Sequence, residues 1–173
     1  MVKLLGEIKV EKFLSSIVDQ LSFENIEKKE FMYSFPLNNS ICSIGYEREK
    51  KLLSKMYHLT ISIETKLNHF QSEKQEVNYL FHKRRWVSRK ANKLIVIANT
   101  YFSFDWSLID FEKLNIIEEG NNRILKMTIL PGSYTTLLFP PLTQGIPLLE
   151  EEIICLKNWI KLISRDLNQQ VAL

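Results

Sequence analysis

Apolar residues recur at three- and four-residue intervals near both ends of the chain, which is the spacing that lines one face of an α-helix. The first run predicts an amphipathic helix over residues 8–21. The second predicts a C-terminal helix over residues 149–167, and three consecutive glutamates at its start lie favourably at the positive end of the helix dipole. Each helix has an apolar stripe that requires a sheet or another helix to cover it.

Strict alternation of apolar and polar residues predicts three strands in the first part of the chain. The clearest alternation covers residues 57–63, and another run covers residues 31–37, where Pro36 favours a sheet edge or a strand end. Residues 38–40 are two asparagines and a serine, a composition typical of turns. They predict a hairpin that joins residues 31–37 to a strand over residues 41–47.

Three more strands are predicted before the C-terminal helix. Residues 119–122 contain a glycine and two asparagines, and they predict a hairpin between strands at residues 113–118 and 123–130. The Pro-Gly dipeptide that follows predicts a second turn. Residues 133–139 are rich in threonine, tyrosine and leucine, and they predict the last strand.

Residues 73–102 predict a long central helix, because apolar residues recur on one side of a helical projection. The residues on that side are Leu80, Val87, Ala91, Leu94, Ala98 and Tyr101. Arg84 is the residue that interrupts this stripe. The predicted order is α-βββ-α-βββ-α, and the predicted fold is a single α+β domain over residues 1–173, with an antiparallel sheet covered by the terminal helices and the central helix.

Composition and charge are those of an ordinary globular domain. The chain has 173 residues, of which 45% are apolar and 25% are charged, and these values disfavour disordered and fibrous classes. Cys42 and Cys155 are far apart and lie among apolar neighbours, which is typical of buried thiols in a reducing compartment. No apolar run is long enough for a signal peptide or a membrane span, so we expect a soluble, cytoplasmic protein.

The most distinctive segment is residues 82–93, which contains six lysines and arginines and no acidic residue. On the predicted central helix, these cations form a basic face that could track phosphate groups, with a tryptophan at its margin for stacking. The candidate residues for binding nucleic acid or another anion are His82, Arg85, Trp86, Arg89 and Lys93. The alternative is an ordinary solvated face, since long charged side chains belong opposite an apolar stripe.

Aromatic residues cluster directly after the predicted central helix. Four of them are candidate walls of a ligand pocket: Tyr101, Phe104, Trp106 and Phe111. The alternative is that these rings form part of the core where the helix returns to the sheet, which is the commoner arrangement for such a cluster. The sequence is compatible with both interpretations.

The sequence contains no recognisable motif for catalysis, a metal or a cofactor. Its three histidines lack the spacing of zinc ligands, and its five glycines are isolated, so they form neither a dinucleotide fingerprint nor a phosphate loop. No serine lies in a nucleophile elbow. We therefore predict no metal, no cofactor and no catalytic residue, and the pattern is more typical of a binding protein than of an enzyme.

Four short motifs in the C-terminal part of the chain carry a resemblance. They are Ile109-Asp110-Phe111, Gly132-Ser133-Tyr134, Phe139-Pro140-Pro141 and Ile146-Pro147-Leu148. Together they resemble the C-terminal part of a bacterial family whose function is not known. Separately, the predicted element order, minus one strand, resembles that of the small dimeric chaperones of type III secretion. That resemblance implies a cytosolic protein in which helices cover one twisted antiparallel sheet.

The leading hypothesis is a non-enzymatic, cytoplasmic protein-interaction module of bacterial type. Such an adaptor or secretion-chaperone-like protein would bind a protein partner or form a homodimer. One alternative is binding of nucleic acid or another anionic surface through the basic face of the central helix. Another is a small-molecule binder or an enzyme with a pocket near residues 101–111.

Overall fold

The structure is a computed structural model that describes residues 5–88, 93–102, 104–137 and 141–169. These residues form three α-helices, seven strands and two single-turn 3₁₀ helices. The α-helices are α1 (Leu5–Leu21), α2 (Leu94–Tyr101) and α3 (Glu150–Gln169). The strands are β1 (Glu27–Lys29), β2 (Met32–Leu37), β3 (Ser40–Lys50), β4 (Ser54–Leu80), β5 (Arg85–Val87), β6 (Phe111–Leu137) and β7 (Leu142–Gly145). The 3₁₀ helices are Phe81–Lys83 and Trp106–Leu108.

The two terminal helices are confirmed, and both bury the apolar stripe that the sequence predicted. In α1 the stripe includes Leu14 and Ile17, and in α3 it includes Leu156 and Ile160; each of these side chains is at most 2% exposed. Both stripes belong to one core that also contains the inward-facing residues of β2, β3, β4 and β6. The helices therefore cover the same face of the sheet, which we call the inner face.

One antiparallel sheet contains all seven described strands, in the order β1-β2-β3-β4-β6-β7, with β5 paired to β4 beyond the end of β3. The predicted hairpin between β2 and β3 is confirmed: Leu37 pairs with Ser40, and Asn38 adopts the positive φ of 56° that its turn requires. The strand predicted at residues 57–63 is present as part of the much longer β4. The α+β class with an antiparallel sheet is therefore correct.

The two hairpins predicted in the last third of the chain are wrong. Residues 111–137 form one continuous strand, β6, which pairs with β4 along most of its length. Gly120 (φ +61°) lies opposite Gln71 at an irregularity in the pairing, and Gly132 (φ +82°) lies in a bulge. A glycine with positive φ can bend a strand through a bulge as well as close a turn, and here both glycines bend β6.

The long central helix predicted at residues 73–102 is also wrong. Residues 73–80 complete β4, Arg85–Val87 form β5, and Leu94–Tyr101 are the α-helical part of what the structure describes in this segment. The physical reason is that side chains alternate between the two faces here, as they do in a strand. Val77 and Tyr79 both face the core, and β-branched and aromatic residues fit a pleated sheet better than a helix. The described order is therefore α1-β1-β2-β3-β4-β5-α2-β6-β7-α3 rather than α-βββ-α-βββ-α.

The sheet curls strongly because β4 and β6 bend together. The Leu130 N–H donates a hydrogen bond to the Asp110 backbone oxygen (2.9 Å), so the residue just before β6 contacts the second half of that same strand. Within the bend, Glu118 and Arg123 form an ion pair whose side chains are 6% and 3% exposed. The curl carries the far half of the β4–β6 ribbon toward α3, where it meets α2 and the second 3₁₀ helix.

None of the helices among the described residues combines the length and the apolar character that a membrane crossing requires.

Candidate functional site

A pocket of about 490 Å³ lies at the far end of the β4–β6 ribbon. Three segments form it: the end of β4 with the turn into β5, the C-terminal half of α2, and the second 3₁₀ helix. Its lining residues are Tyr79, Phe81, Arg84, Trp86, Asn99, Phe102, Phe104, Asp105, Trp106 and Ser107. This volume lies within the range of roughly 300–1,000 Å³ that is typical of small-molecule sites.

Aromatic rings build the walls of this pocket. Tyr79 contacts both Phe81 and Trp86 edge to face, with ring centroids 5.1 and 5.3 Å apart. Phe104 contacts Trp106 in the same way at 5.2 Å. Edge-to-face pairs at these distances are the favoured geometry of aromatic side chains, because the positive edge of one ring meets the negative face of the other. The walls are therefore a connected set of rings.

A second layer of rings supports the walls from behind. Phe111 stacks on Phe81, with centroids 5.7 Å apart and planes 7° apart, and it also stacks on Trp159 of α3 at 5.8 Å. Trp159 in turn contacts Trp106 at 5.1 Å. This layer connects the pocket to the core beneath α3, which limits how far its walls can move.

The carbonyl oxygen of Phe102 fixes the two tryptophans of the pocket. The indole N–H groups of Trp86 and Trp106 both donate to this oxygen, at 3.3 and 3.2 Å. Phe102 itself caps the end of α2, because its N–H donates to the Ala98 backbone oxygen (3.1 Å). Strand β5, α2 and the second 3₁₀ helix are thus joined at one backbone group, although they are separate in sequence.

Two opposite charges line the pocket beside the rings. Arg84 is exposed and adopts a left-handed backbone conformation (φ 47°) directly after the first 3₁₀ helix. Asp105 accepts hydrogen bonds at Oδ1 from the Ser107 hydroxyl (2.5 Å) and backbone N–H (3.1 Å). These bonds hold the pKa of the Asp105 carboxyl below its ordinary value, with a smaller contribution from the positive charge of Arg84.

The structure brings together part of the aromatic set that the sequence suggested. Phe104 and Trp106 line the pocket, and Phe111 lies in the layer behind it. Tyr101 is the last residue of α2, and its side chain lies outside what the structure describes. Trp86, which the sequence suggested for stacking on a basic surface, is 3% exposed and belongs to the pocket wall.

The basic candidate residues do not share a helix face. His82 lies in the first 3₁₀ helix, Arg85 in β5 and Lys93 directly before α2, and all three are exposed. Arg89 lies outside the described residues. The predicted stripe of cations is therefore corrected to a short basic turn, residues 82–85, at the border of the pocket, because β4 and β5 replace the helix on which the stripe depended.

Sequence reasoning missed the polar part of the site. In the sequence, Arg84 interrupts the apolar stripe of the predicted central helix, and this interruption is the available signal that the helix breaks there. Asp105 is separated in sequence from Arg84, and only the curl of the sheet brings both to one pocket. Val77 and Tyr79 carried a readable signal, since they alternate with the polar residues Glu76 and Asn78 as residues of a strand do.

A histidine between two carboxylates lies elsewhere, on the outer face of the sheet. His58 Nδ1 is 2.6 Å from Glu112 Oε2, and its Nε2 is 3.3 Å from Glu49 Oε2. Both ring nitrogens are therefore engaged, which is typical of a bridge between surface elements rather than of a catalytic base. Within the described part of the chain, no group of three or more His, Cys, Asp or Glu residues could hold a metal ion.

The two cysteines are both free, and neither has the setting of a reactive thiol. Cys42 is fully buried in the core, and this burial raises the pKa of its thiol far above the ordinary value. Cys155 on α3 is partly buried, and the pKa of its thiol is raised mainly by burial and further by the charge of Asp105. Nucleophilic chemistry at these residues is therefore disfavoured.

Comparison of the chain with protein-family models, with curated proteins and with solved structures gives no match. Function is accordingly inferred from the geometry of the pocket and of the surfaces around it.

Proposed function

We propose that this protein is a small-molecule-binding protein whose site is the aromatic pocket beside Arg84. The observation that carries the proposal is the combination of a cavity of about 490 Å³, a wall of connected aromatic rings and one cation at the same cavity. The ligand class that fits is a small planar aromatic or heteroaromatic carboxylate. The protein would bind such a ligand without transforming it.

The aromatic walls suit a planar ring. Tyr79, Phe81 and Phe104 are partly exposed, so their surfaces are available inside the pocket. The two tryptophans of the wall, Trp86 and Trp106, are 3% and 2% exposed and hold these rings in place. A well-placed aromatic pair contributes about 0.5–1.5 kcal/mol beyond the burial of its area. Because hydrogen bonds to Phe102 fix the tryptophans before a ligand enters, little ordering cost is expected on binding.

The charges around the pocket suit a single anionic group with a hydrogen-bond donor nearby. A guanidinium binds a carboxylate through two parallel N–H groups, and Arg84 lies next to the exposed cations Lys83 and Arg85 in a basic turn that attracts anions. Asp105 at the same pocket would repel a second negative charge and accept a hydrogen bond from a hydroxyl or amine. A ligand of this kind is a hydroxyl- or amino-substituted aromatic monoacid.

Calorimetric titration with simple aromatic acids, such as 4-hydroxybenzoate and indole-3-acetate, tests this proposal. Arg84→Asn removes the cation and keeps a residue that tolerates positive φ, so the turn is retained. We expect this variant to bind about ten- to a hundredfold more weakly, since a hydrogen bond to a charged group is worth about 1.5–3 kcal/mol.

The matched control is Arg85→Gln, which removes the neighbouring cation on β5, a residue that does not line the pocket. This control is expected to reduce affinity by less than about threefold through the weaker general field. Failure of every aromatic acid to bind, or equal losses in both variants, would refute the proposed site.

A protein-interaction module remains the second candidate, with one supporting observation. The outer face of the sheet, opposite α1 and α3, carries a shallow cavity of about 340 Å³ whose lining includes Met32, Ile117 and Ile124. Met32 and the nearby Ile41 are 44% and 55% exposed. An apolar area of this kind is typical of surfaces that bind a protein partner or a second copy of the chain.

Sedimentation of the wild-type protein and of a Met32→Asp variant distinguishes this candidate. If the outer face binds a second copy, the wild-type protein self-associates as its concentration rises, and the charged variant stays monomeric. A wild-type protein that stays monomeric would exclude the homodimer. Nucleic-acid binding stays a prediction. The basic helix face on which it was based is absent from the described residues, because β4 and β5 replace that part of the predicted helix.

A further inference from the structure

The turn that joins β3 to β4 presents two leucines to solvent. Leu52 is 93% exposed and Leu53 is 56% exposed. We call residues 50–55 the β3–β4 tip; they are Lys50, Lys51, Leu52, Leu53, Ser54 and Lys55. Two adjacent leucines with this exposure are unusual on a loop, where polar residues normally face the solvent.

The β3–β4 tip is held firmly by the strands below it. Lys50 pairs with Lys55 at the end of the β3–β4 ladder, and the Lys51 N–H donates to the Ser54 oxygen at 2.8 Å. Ser54 also pairs with Leu137 of β6, which in turn pairs with Leu142 of β7. The leucines therefore project from a closed turn at one end of the sheet, and Leu142, 51% exposed, lies at that same end.

Positive charge is in excess at the base of the tip. The cations there are Arg48, Lys50, Lys51 and Lys55. Glu49 lies 3.6 Å from Lys51, and Glu7 lies 3.7 Å from Arg48 and 4.0 Å from Lys55. Glu49 is also shared with His58. The cations are therefore in excess, and Lys50 and Lys51 are exposed beside the leucines.

We propose that the β3–β4 tip docks this protein on the surface of a bilayer rich in anionic phospholipid. The leucines would enter the boundary between headgroups and acyl chains, and the lysines would lie at the level of the phosphates. Two features favour a bilayer over a protein partner: the apolar surface projects from a turn rather than lining a groove, and cations outnumber carboxylates at its base. A short apolar insertion joined to a basic patch is the combination that gives reversible binding to anionic membranes.

Co-sedimentation with phospholipid vesicles tests the proposal. The wild-type protein is expected to bind phosphatidylserine-rich vesicles and to bind phosphatidylcholine vesicles at least about tenfold more weakly. Binding should weaken as ionic strength rises from about 0.05 to about 0.5 M, because salt screens the lysines. Lys50→Gln with Lys51→Gln should lower the affinity by about fivefold for each lysine removed.

The leucines need a matched control. Leu52→Ser with Leu53→Ser is expected to weaken binding to phosphatidylserine vesicles by at least about tenfold, because little apolar surface remains to insert. Leu108→Ser with Leu149→Ser also removes two exposed leucines, 59% and 63% exposed, but from other parts of the surface, so it should bind as the wild type does. Thermal melting should show both double variants folded, since all four side chains are exposed.

Three results would overturn the proposal. The first is equal binding of the wild-type protein to both kinds of vesicle, and the second is unchanged binding of the Leu52→Ser, Leu53→Ser variant. The third is a wild-type protein that does not bind vesicles but self-associates, with the self-association abolished by Leu52→Ser and Leu53→Ser. That result would show that the tip is a contact between copies of the chain. The test is independent of the aromatic pocket, which lies at the other end of the β4–β6 ribbon.

Discussion

The indole rings of Trp86 and Trp106 stand nearly perpendicular to each other, at 87° with centroids 6.4 Å apart, and both donate to one carbonyl oxygen. That oxygen belongs to Phe102, the residue that follows α2. A carbonyl oxygen has two lone pairs, so it can satisfy both indoles at once. The pair therefore joins β5 to the second 3₁₀ helix through a single backbone group, and the wall of the pocket depends on it.

This shared acceptor predicts coupling between Trp86→Phe and Trp106→Phe. Either single substitution leaves the Phe102 oxygen one donor, whereas the double variant leaves a buried acceptor without either indole. We expect a coupling free energy of about 1–2 kcal/mol in a double-mutant cycle, because an unsatisfied buried group costs about 1–3 kcal/mol. Urea denaturation of the four proteins measures it, and strictly additive losses would mean that the two bonds act independently.

Replacing Gly132 even by alanine is predicted to destabilise the protein. The φ of Gly132 is +82°, and a Cβ added there would overlap Leu59 Cδ2 and lie 3.2 Å from Ile17 Cδ1. We expect Gly132→Ala to lower the free energy of unfolding by about 2–4 kcal/mol through backbone strain and overpacking. Gly6→Ala in α1 is the control, since a Cβ there would meet no atom within 4 Å and should stabilise the helix by up to about 1 kcal/mol. Similar effects at both glycines would contradict the bulge.

The buried ion pair in the bend predicts an asymmetric response to mutation. Arg123 Nε and Nη2 both lie 2.5 Å from Glu118 Oε1. Glu118→Gln removes the negative charge and leaves a buried guanidinium, so the free energy of unfolding should fall by about 3–5 kcal/mol. Replacing both residues, by Glu118→Leu with Arg123→Met, should cost less than that single change. Equilibrium denaturation compares the variants, and a double variant less stable than Glu118→Gln would refute this reasoning.

Tyr46 predicts a loss of stability at alkaline pH. Its hydroxyl donates to the Gly132 oxygen at 2.7 Å, and burial raises the pKa of that hydroxyl well above its ordinary value of about 10. The folded protein therefore holds this proton more tightly than the unfolded chain does. The resulting stability is present below about pH 10 and is lost as pH rises from there toward the folded-state pKa.

The measurement is the free energy of unfolding between about pH 8 and about pH 11, with Tyr46→Phe as the comparison. We expect the variant to be less stable by about 1 kcal/mol at the lower pH, because it lacks the hydrogen bond, and to lose less stability as pH rises. Burial also raises the pKa of Tyr57 and Tyr79, so some alkaline loss should remain. An identical slope in both proteins would show that Tyr46 does not titrate differently in the folded state.

The sequence predicted the elements whose signals are local. The terminal helices were predicted because each presents a complete apolar stripe, and the β2–β3 hairpin because residues 38–40 have turn chemistry. Both predictions are confirmed, since tertiary contacts in these regions act in the same direction as local preference.

The long strands were not predictable in the same way. Strands usually have 3–10 residues, whereas β4 and β6 have 27 each, so the turn-forming residues at 119–122 were interpreted as an end rather than as a bend. Their continuity depends on pairing between residues far apart in sequence, such as Val77 with Ile116. The wrongly predicted central helix had a related cause. Its apolar stripe runs at helical spacing from Val87 onward but reaches back to Leu80 only across a gap of seven residues, and this stripe outweighed the shorter alternation around Tyr79.

The aromatic part of the candidate site could be predicted from the sequence, but its charged part could not. Its rings at 104 and 106 lie in one short segment, and composition alone identified them. The charged residues of the pocket could not be predicted from the sequence. Arg84 and Asp105 line the same pocket only because the β4–β6 ribbon curls and the chain returns to it after α2. Sites built from separate segments have no linear signature, so geometry is required to find them.

The most direct test of the pocket is nuclear magnetic resonance of the tryptophan indoles during titration with 4-hydroxybenzoate. The chain has three tryptophans, so three indole N–H signals are expected, and the Trp→Phe variants assign them. We predict saturable shifts of the Trp86 and Trp106 signals, with the smallest shift at Trp159, which lies behind the wall. If no signal moves, or if all three drift equally without saturation, the pocket does not bind an aromatic acid and the central claim is wrong.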